Sequence, residues 1–321
     1  MKLQKFLGVV VLCAVSSFAA AQGYPNKPIR LVVPFAPGGS SDAAARPIAD
    51  RLGALLGQTV VVENRAGAQG VVGADVVARA ASDGYTLLMM PGTHVLNTYL
   101  HATLPFDPIK DFTPVGMLVS VPFVFVTAAD RPYSTLRGML QYAEQHPEEI
   151  SVGLTDALGL LAAESLKSVS PAVLTRVNYK GAPAIVTDVI GGHLSVGLTT
   201  PPVVMSFTKD KNSAVRPLAI TSSERLASLP EIPTVSEATG VSGYDVATWY
   251  GIAGPANLPS DVVARLTAAI STVMADEEMR NRMLALGMSP MNDNSASAMT
   301  VKMTADATNW GRILKEAGVK P

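Results

Sequence analysis

The strongest constraint on the fold is an alternation in the first third of the chain. Short β-branched runs are separated by amphipathic stretches, and the loops between them are short. Residues 29–33, Ile-Arg-Leu-Val-Val, read as a strand. After a turn at 34–42, Ile48, Leu52, Leu55 and Leu56 fall at i, i+4, i+7 and i+8, which predicts a helix that stops at Gly57. A strand at 59–63, a Gly-containing loop at 64–70, a helix at 71–81 and a strand at 84–90 follow. This β-α-β-α-β order predicts a parallel sheet covered on both faces. Ligands of such sheets bind beyond the C-terminal ends of the strands, where these loops gather.

The middle of the chain repeats the pattern. Strands are predicted at 123–127, 150–153, 173–177, 194–198 and 216–221, and helices at 136–145, 158–169 and 184–190. The last third reads as mainly helical, at 260–275, 277–286 and 297–317, with Ser260 as an N-cap and Gly318 as a stop. The most apolar internal run, 115–129, is broken by Pro122 and falls short of the roughly 20 residues a bilayer requires, so it reads as buried strands. At roughly 150 residues per domain, a chain of 321 residues favours two domains.

The N-terminus has the layout of a secretory signal peptide. Lys2 and Lys5 precede an apolar stretch at 6–18, and Ala19-Ala20-Ala21 offers cleavage before Gln22. Cys13, the only cysteine, leaves with it. The exported chain then has no disulfide, thiolate metal site or cysteine nucleophile. With 25 basic and 26 acidic side chains, the full sequence also offers no basic field for nucleic acid or an anionic membrane.

Enzyme motifs are missing. There is no G-x-S-x-G elbow, P-loop or H-E-x-x-H, and no histidine pair at i, i+4. Gly67, Gly70 and Gly73 have the wrong spacing for a dinucleotide fingerprint. A triad of Ser40, His94 and Asp42 can be drawn, but no nucleophile context accompanies it. No metal or cofactor is expected.

The turn Pro34-Phe35-Ala36-Pro37-Gly38-Gly39-Ser40-Ser41-Asp42 is the most informative segment. It joins a strand to a helix N-terminus, whose first N–H groups lack internal partners and carry partial positive charge. One reading is a site for a carboxylate or phosphate, with Asp42 capping the helix. The other is a helix start without a ligand. Thr155-Asp156-Ala157 forms a second strand-to-helix turn, where Asp156 opposes an unshielded anion unless it only caps the helix. Lys180 offers positive charge to a cleft or is a solvated loop residue. Trp249 and Tyr250 offer an aromatic wall or fill core.

Seven segments in order carry a resemblance: Tyr24-Pro25-Asn26-Lys27-Pro28-Ile29, Pro34-Phe35-Ala36-Pro37-Gly38-Gly39, Val62-Glu63-Asn64-Arg65-Ala66-Gly67-Ala68, Asp83-Gly84-Tyr85-Thr86-Leu87-Leu88, Tyr179-Lys180-Gly181, Ile220-Thr221-Ser222-Ser223-Glu224-Arg225 and Pro233-Thr234-Val235. The chain resembles the substrate-binding receptors of tripartite tricarboxylate transporters, the Bug receptor family. The resemblance implies a periplasmic binding protein of type II, with two α/β domains joined by two crossing strands and a ligand cleft between them. Domain I would comprise 22–123 and 223–321, and domain II 124–222, with crossings near 123–127 and 218–222. The resemblance places a ligand carboxylate on Phe35, Ala36, Gly38, Gly39 and Ser40, with Ser41 and Asp42 at the helix start and Gly92, Thr93 and His94 nearby. From the second domain, Thr155, Asp156, Ala157, Lys180, Gly181 and Thr199 complete the expected site.

The second-domain motifs depart from the family pattern. The turn at 153–160 is short and lacks the family's histidine, and an aspartate common at the end of the next strand is Thr199 or Thr200 here. That absence disfavours an amino-acid ligand and favours a purely anionic or partly apolar one. The function expected is a non-catalytic, monomeric receptor that captures a small organic carboxylate and presents it to a membrane permease. A sensor with a signalling partner, a secreted hydrolase and a receptor that has lost its ligand stand as alternatives.

Overall fold

A computed structural model describes residues 23–147, 149–208 and 213–316. The expected signal peptide and the Gly318 stop lie outside the described residues. In chain order the elements are β1 (Ile29–Val33), α1 (Ser40–Leu56), β2 (Val60–Asn64), α2 (Val71–Ala78), β3 (Thr86–Pro91), β4 (Phe112–Pro122), β5 (Val124–Ala128) and α3 (Leu136–Gln145). Next come β6 (Ser151–Leu154), α4 (Ala157–Ser165), β7 (Thr175–Asn178), α5 (Ala182–Ile190), β8 (Val196–Thr199), α6 (Pro201–Phe207) and β9 (Val215–Ile220). The chain ends with α7 (Val235–Thr239), β10 (Ala247–Pro255), α8 (Ser260–Ala275), α9 (Glu277–Ala285), β11 (Ser289–Pro290) and α10 (Ala296–Glu316).

Two sheets form, in the orders β11-β4-β10-β3-β1-β2 and β7-β6-β8-β5-β9. The expected parallel unit is present: β1 lies between β2 and β3, parallel to both. Side-chain alternation explains the double cover. Ile29, Leu31 and Val33 pack with Ile48 and Leu52 of α1 and with Ile270 of α8. Val32 points the other way, into the cluster holding Ala74 and Val77 of α2. Leu55, assigned to the buried face by its spacing, is 46% exposed. It lies beyond the edge of the stripe that Ile48 and Leu52 bury.

The second sheet repeats the first. Strand β6 lies between β7 and β8, parallel to both. Antiparallel β5 then borders β8, as antiparallel β10 borders β3. The order β2-β1-β3-β10-β4 therefore matches β7-β6-β8-β5-β9. In both sheets the connections of the central parallel strands diverge beside the first strand, which is where open α/β sheets bind ligands.

The last third is not only helical. Strand β10 runs through the middle of the first sheet, paired with β3 and β4. Its two interior glycines hide it from β-propensity. Gly251 sits where backbones meet, since a Cβ there would lie 2.8 Å from the Gly116 carbonyl oxygen, and Gly254 makes room for the Leu258 side chain. Ser260 is the first residue of α8 rather than its cap; Pro259 holds the cap position and makes no side-chain bond.

The chain passes between the sheets at Phe123 and again near Val246. Thr221 ties these passages together. Its hydroxyl accepts from the Phe123 amide at 2.7 Å and donates to the Val246 carbonyl at 2.6 Å. Its backbone bonds Phe123 and Val246, both at 2.9 Å. Between Thr221 and Val246 the chain packs on the second sheet. Leu229 and Ile232 share a cluster with Val124, Val126 and Val203, and Thr234 bridges to Ile220. No helix among the described residues is long and apolar enough to cross a membrane.

Candidate functional site

The β1–α1 turn is shaped by its glycines and by Asp42. Gly38 has φ of 79°, a left-handed conformation that suits glycine. Gly39 is the N-cap of α1 and supplies no side-chain bond to the first-turn amides. Asp42 does not cap the helix. Its carboxylate turns back to accept from the Gly38 amide at 3.0 Å. Arg46 donates to it through two nitrogens, at 3.0 and 2.8 Å, and Asn64 through Nδ2 at 3.0 Å. Burial raises this carboxyl, but the bonds from Arg46, Gly38 and Asn64 outweigh it and hold it below its ordinary value. The acid of this turn is thus neutralised away from the first amides of α1, which stay positive.

The β6–α4 turn is arranged the opposite way. Asp156 is the N-cap of α4, and its Oδ1 accepts from the Leu158 and Gly159 amides at 3.1 and 3.0 Å. Its Oδ2 has the Thr155 hydroxyl at 3.3 Å. Burial pushes this carboxyl up, only partly offset by Gly159, Thr155 and Leu158.

These two turns face each other across a narrow cavity between the sheets. About 30 Å³ of it is open to the centres of water molecules, room for a few waters at about 10–15 Å³ each. The first sheet contributes Phe35, Ala36, Gly39, Ser40, Ser41 and Tyr250, and the passage between sheets contributes Phe123. The second sheet contributes Thr155, Asp156, Gly181, Ala182, Thr199 and Thr200. Four helix N-termini therefore converge: those of α1, α4, α5 and α6. Gly181 caps α5 and Thr200 caps α6, neither with a side-chain bond to its helix. Asp156 supplies the one carboxyl in the lining, which holds no lysine, arginine or histidine.

The two walls touch. A Cβ on Gly181 would lie 2.8 Å from Ala36 Cβ, and one on Gly38 would lie 3.6 Å from Pro183 Cγ. The cleft is closed, with the N-termini of α1 and α5 against each other. On the floor, Ser40 and Tyr250 share a hydrogen bond of 2.6 Å between their hydroxyls. Burial raises the Tyr250 phenol far above its ordinary value; Ser40 opposes this and nearby Asp156 adds to it. The hydroxyls of Thr199 and Thr200 are buried without a hydrogen-bond partner.

Several expected residues lie elsewhere. Lys180 is exposed and does not line the cavity. Gly38 and Asp42 shape the turn from behind, and Ala157 is buried in the core of α4. His94 is packed among Phe106 and Phe112, with Nε2 3.0 Å from the Pro108 carbonyl. Burial lowers it to about 4, so it is neutral. Gly92 leaves room for Trp249, whose Nε1 would be 2.7 Å from a Cβ there. Thr93 is buried with its hydroxyl unpartnered, also outside the cavity lining. The drawn triad does not assemble. Among the described residues, no group of three or more His, Cys, Asp or Glu side chains could hold a metal.

Sequence reasoning left out Phe123, Ala182 and Thr200 and left Tyr250 between core and wall. Thr200-Pro201-Pro202 carries a usable signal, a hydroxyl N-cap followed by proline at the first helical position. The absence of an acid at Thr199 and Thr200 was offset elsewhere: Asp156, from the neighbouring strand end, occupies the same wall.

Comparisons place this architecture. The family described as "Tripartite tricarboxylate transporter family receptor" matches residues 44–319. Protein BugT of Bordetella pertussis is 32% identical over 330 residues, covering 100% of this chain and 99% of the relative. The solved periplasmic binding protein BugD superposes with a TM-score of 0.86 at 30% identity, covering 92% of this chain and 99% of that one. R. palustris Rpa4515 with adipate gives 0.88 at 30% identity, covering 93% and 100%. MatC from Rhodopseudomonas palustris with bound malate gives 0.82 at 28% identity, covering 91% and 100%. The chain therefore belongs to the receptor family of the tripartite tricarboxylate transporters, a family of periplasmic solute-binding proteins that includes the Bug proteins.

Proposed function

We propose that this protein captures a small organic acid between its two sheets and delivers it to the membrane permease of a tripartite transporter. One carboxylate sits between the N-termini of α1 and α5, one from each wall, so a single anion draws both walls together. The observation that carries this reading is a cavity where the N-termini of α1 and α5, neither capped by a side chain, meet from opposite walls with no lysine or arginine side chain in the lining. Main-chain amides and dipoles then supply the positive potential, and the buried setting strengthens them. Phe35 and Phe123 shield the ligand, and the Ser40–Tyr250 pair offers it a hydroxyl edge. Adipate and malate in the related structures accord with an acid as the ligand.

In this reading the first domain is 22–123 with the C-terminal part of the chain. The second is 124–222, extended by the segment to 246 that packs on it. Closure about Phe123 and Thr221 is stabilised because the ligand binds the closed form better than the open one. The closed surface is what the permease recognises. Export follows cleavage after Ala21.

The test is a calorimetric and thermal-shift series with mono-, di- and tricarboxylates and aromatic acids. A bound acid at a hundredfold excess over its Kd stabilises the fold by about 2.7 kcal/mol. Gly39→Val should abolish that binding without unfolding the protein. The backbone there has φ of −78°, and a Cβ meets only the Ala36 carbonyl at 3.5 Å. Unchanged affinity in this variant removes the role given to the turn. Loss of uptake on deletion of the gene, restored by the wild type, tests the permease step.

A further inference from the structure

We propose that the acid held here carries one carboxylate together with a hydrogen-bond donor, a hydroxyl or ammonium, and that Asp156 is the acceptor that selects it against dicarboxylates. This rests on the carboxylate reading above and names the chemistry of the other end of the ligand.

Three observations converge. The anion position at the N-terminus of α4 is already filled by the chain's own Asp156, through Oδ1. Its Oδ2 keeps acceptor capacity, since its one neighbour is the Thr155 hydroxyl at 3.3 Å. Beside it the hydroxyls of Thr199 and Thr200 are buried, at 1% and 5% residue exposure, with no partner. Buried polar groups are nearly always paired, so two unpaired hydroxyls in one cavity wall mark where a ligand's polar atoms sit. No cationic side chain lines the cavity. A second ligand carboxylate would stand beside the Asp156 carboxyl in a desolvated space, where the two acids are held together only at the cost of taking up a proton. A hydroxyl or ammonium in that place donates to Asp156 and leaves both threonine hydroxyls satisfied. The narrow cavity limits the acid to a short chain.

Asp156→Asn separates selection from folding. Asparagine is as good an N-cap as aspartate, so α4 keeps its cap. It also turns an acceptor facing the cavity into a donor. Calorimetry would use two matched sets. The three-carbon set is malonate, 3-hydroxypropionate, β-alanine and propionate. The four-carbon set is succinate, 4-hydroxybutyrate, 4-aminobutyrate and butyrate. In the wild type the best hydroxy or amino acid of a set should bind at least tenfold tighter than its dicarboxylate and its plain acid. The hydroxy and amino arms decide which donor is used. In Asp156→Asn that preference over the dicarboxylate should fall at least tenfold. A wild type that binds a dicarboxylate as tightly as the donor-bearing acids overturns the inference alone. So does a ratio that Asp156→Asn leaves unchanged. Failure of every acid in both sets to bind overturns the carboxylate reading and this inference with it.

Discussion

The two strand-to-helix turns that face each other across the cavity occupy equivalent places in equivalent sheets, yet they handle their acidic residue in opposite ways. In the β1–α1 turn, Asp42 folds back under the loop and is neutralised by Arg46 and Asn64. The helix N-terminus is left for an outside anion. In the β6–α4 turn, Asp156 plugs its own helix N-terminus and shows an acceptor to the cavity. One duplicated architecture thus yields a donor wall and an acceptor wall. Fold topology locates the site, and the position of one carboxylate in each turn decides its polarity.

The comparison depends on the walls meeting, and the largest effect comes from keeping them apart. Gly181 has φ of −173°, which any residue adopts, so an alanine there is strained only by contact. Its methyl would lie 2.8 Å from Ala36 Cβ, across the cleft and closer than real side chains approach. Gly181→Ala should weaken carboxylate binding at least tenfold, about 1.4 kcal/mol, with each wall still folded. Adding Ala36→Gly should restore most of the loss, because it removes the opposing methyl. Calorimetry on the single and double variants forms a thermodynamic cycle. Additive losses would show that the two walls do not meet when ligand is bound.

A smaller effect is expected where the walls are joined. Thr221→Val keeps the shape but removes the hydroxyl that Phe123 and Val246 share. The buried Phe123 amide then lacks its bond, which costs about 1–3 kcal/mol. Urea unfolding should read that loss. Because the bond ties both passages, ligand-induced stabilisation should also change, whereas a purely local role would leave it the same.

Much of the fold was legible because it is written in spacing. The alternation of Leu87 and Met89 with Leu88 and Met90 divides β3 between two cores, and the period of α3 sets its bounds at 136 and 145. Strand β10 was illegible because its glycines answer to contacts, Gly251 with Gly116 and Met299 and Gly254 with Leu258, rather than to local propensity. The site was half legible. The turn at 34–42 shows itself through glycine and hydroxyl content. That Asp42 turns inward depends on Asn64, 22 residues away, and on the loop geometry that brings it there. Lys180 looked useful because it is charged and next to Gly181, but at the mouth of α5 the backbone faces the cavity and the long side chain goes to solvent.

The subtlest consequence of the opposed turns is a pair of opposite pH slopes. Asp42 is held below the ordinary 3.8 of an aspartate. In the window under 3.8 the unfolded chain binds the proton more readily, so this group's stabilisation is lost as pH falls. Asp156 is raised above 3.8 by burial. In the window over 3.8 the folded chain keeps the proton longer, so stability declines as pH rises until Asp156 ionises in the folded state. Asp42→Asn should therefore flatten the acid limb of stability against pH relative to wild type, and Asp156→Asn the limb above it. Urea midpoints measured without ligand across both windows resolve the two differences. If both variants altered the same limb, the two carboxylates would share one environment, and the division into a donor wall and an acceptor wall would fail at its source.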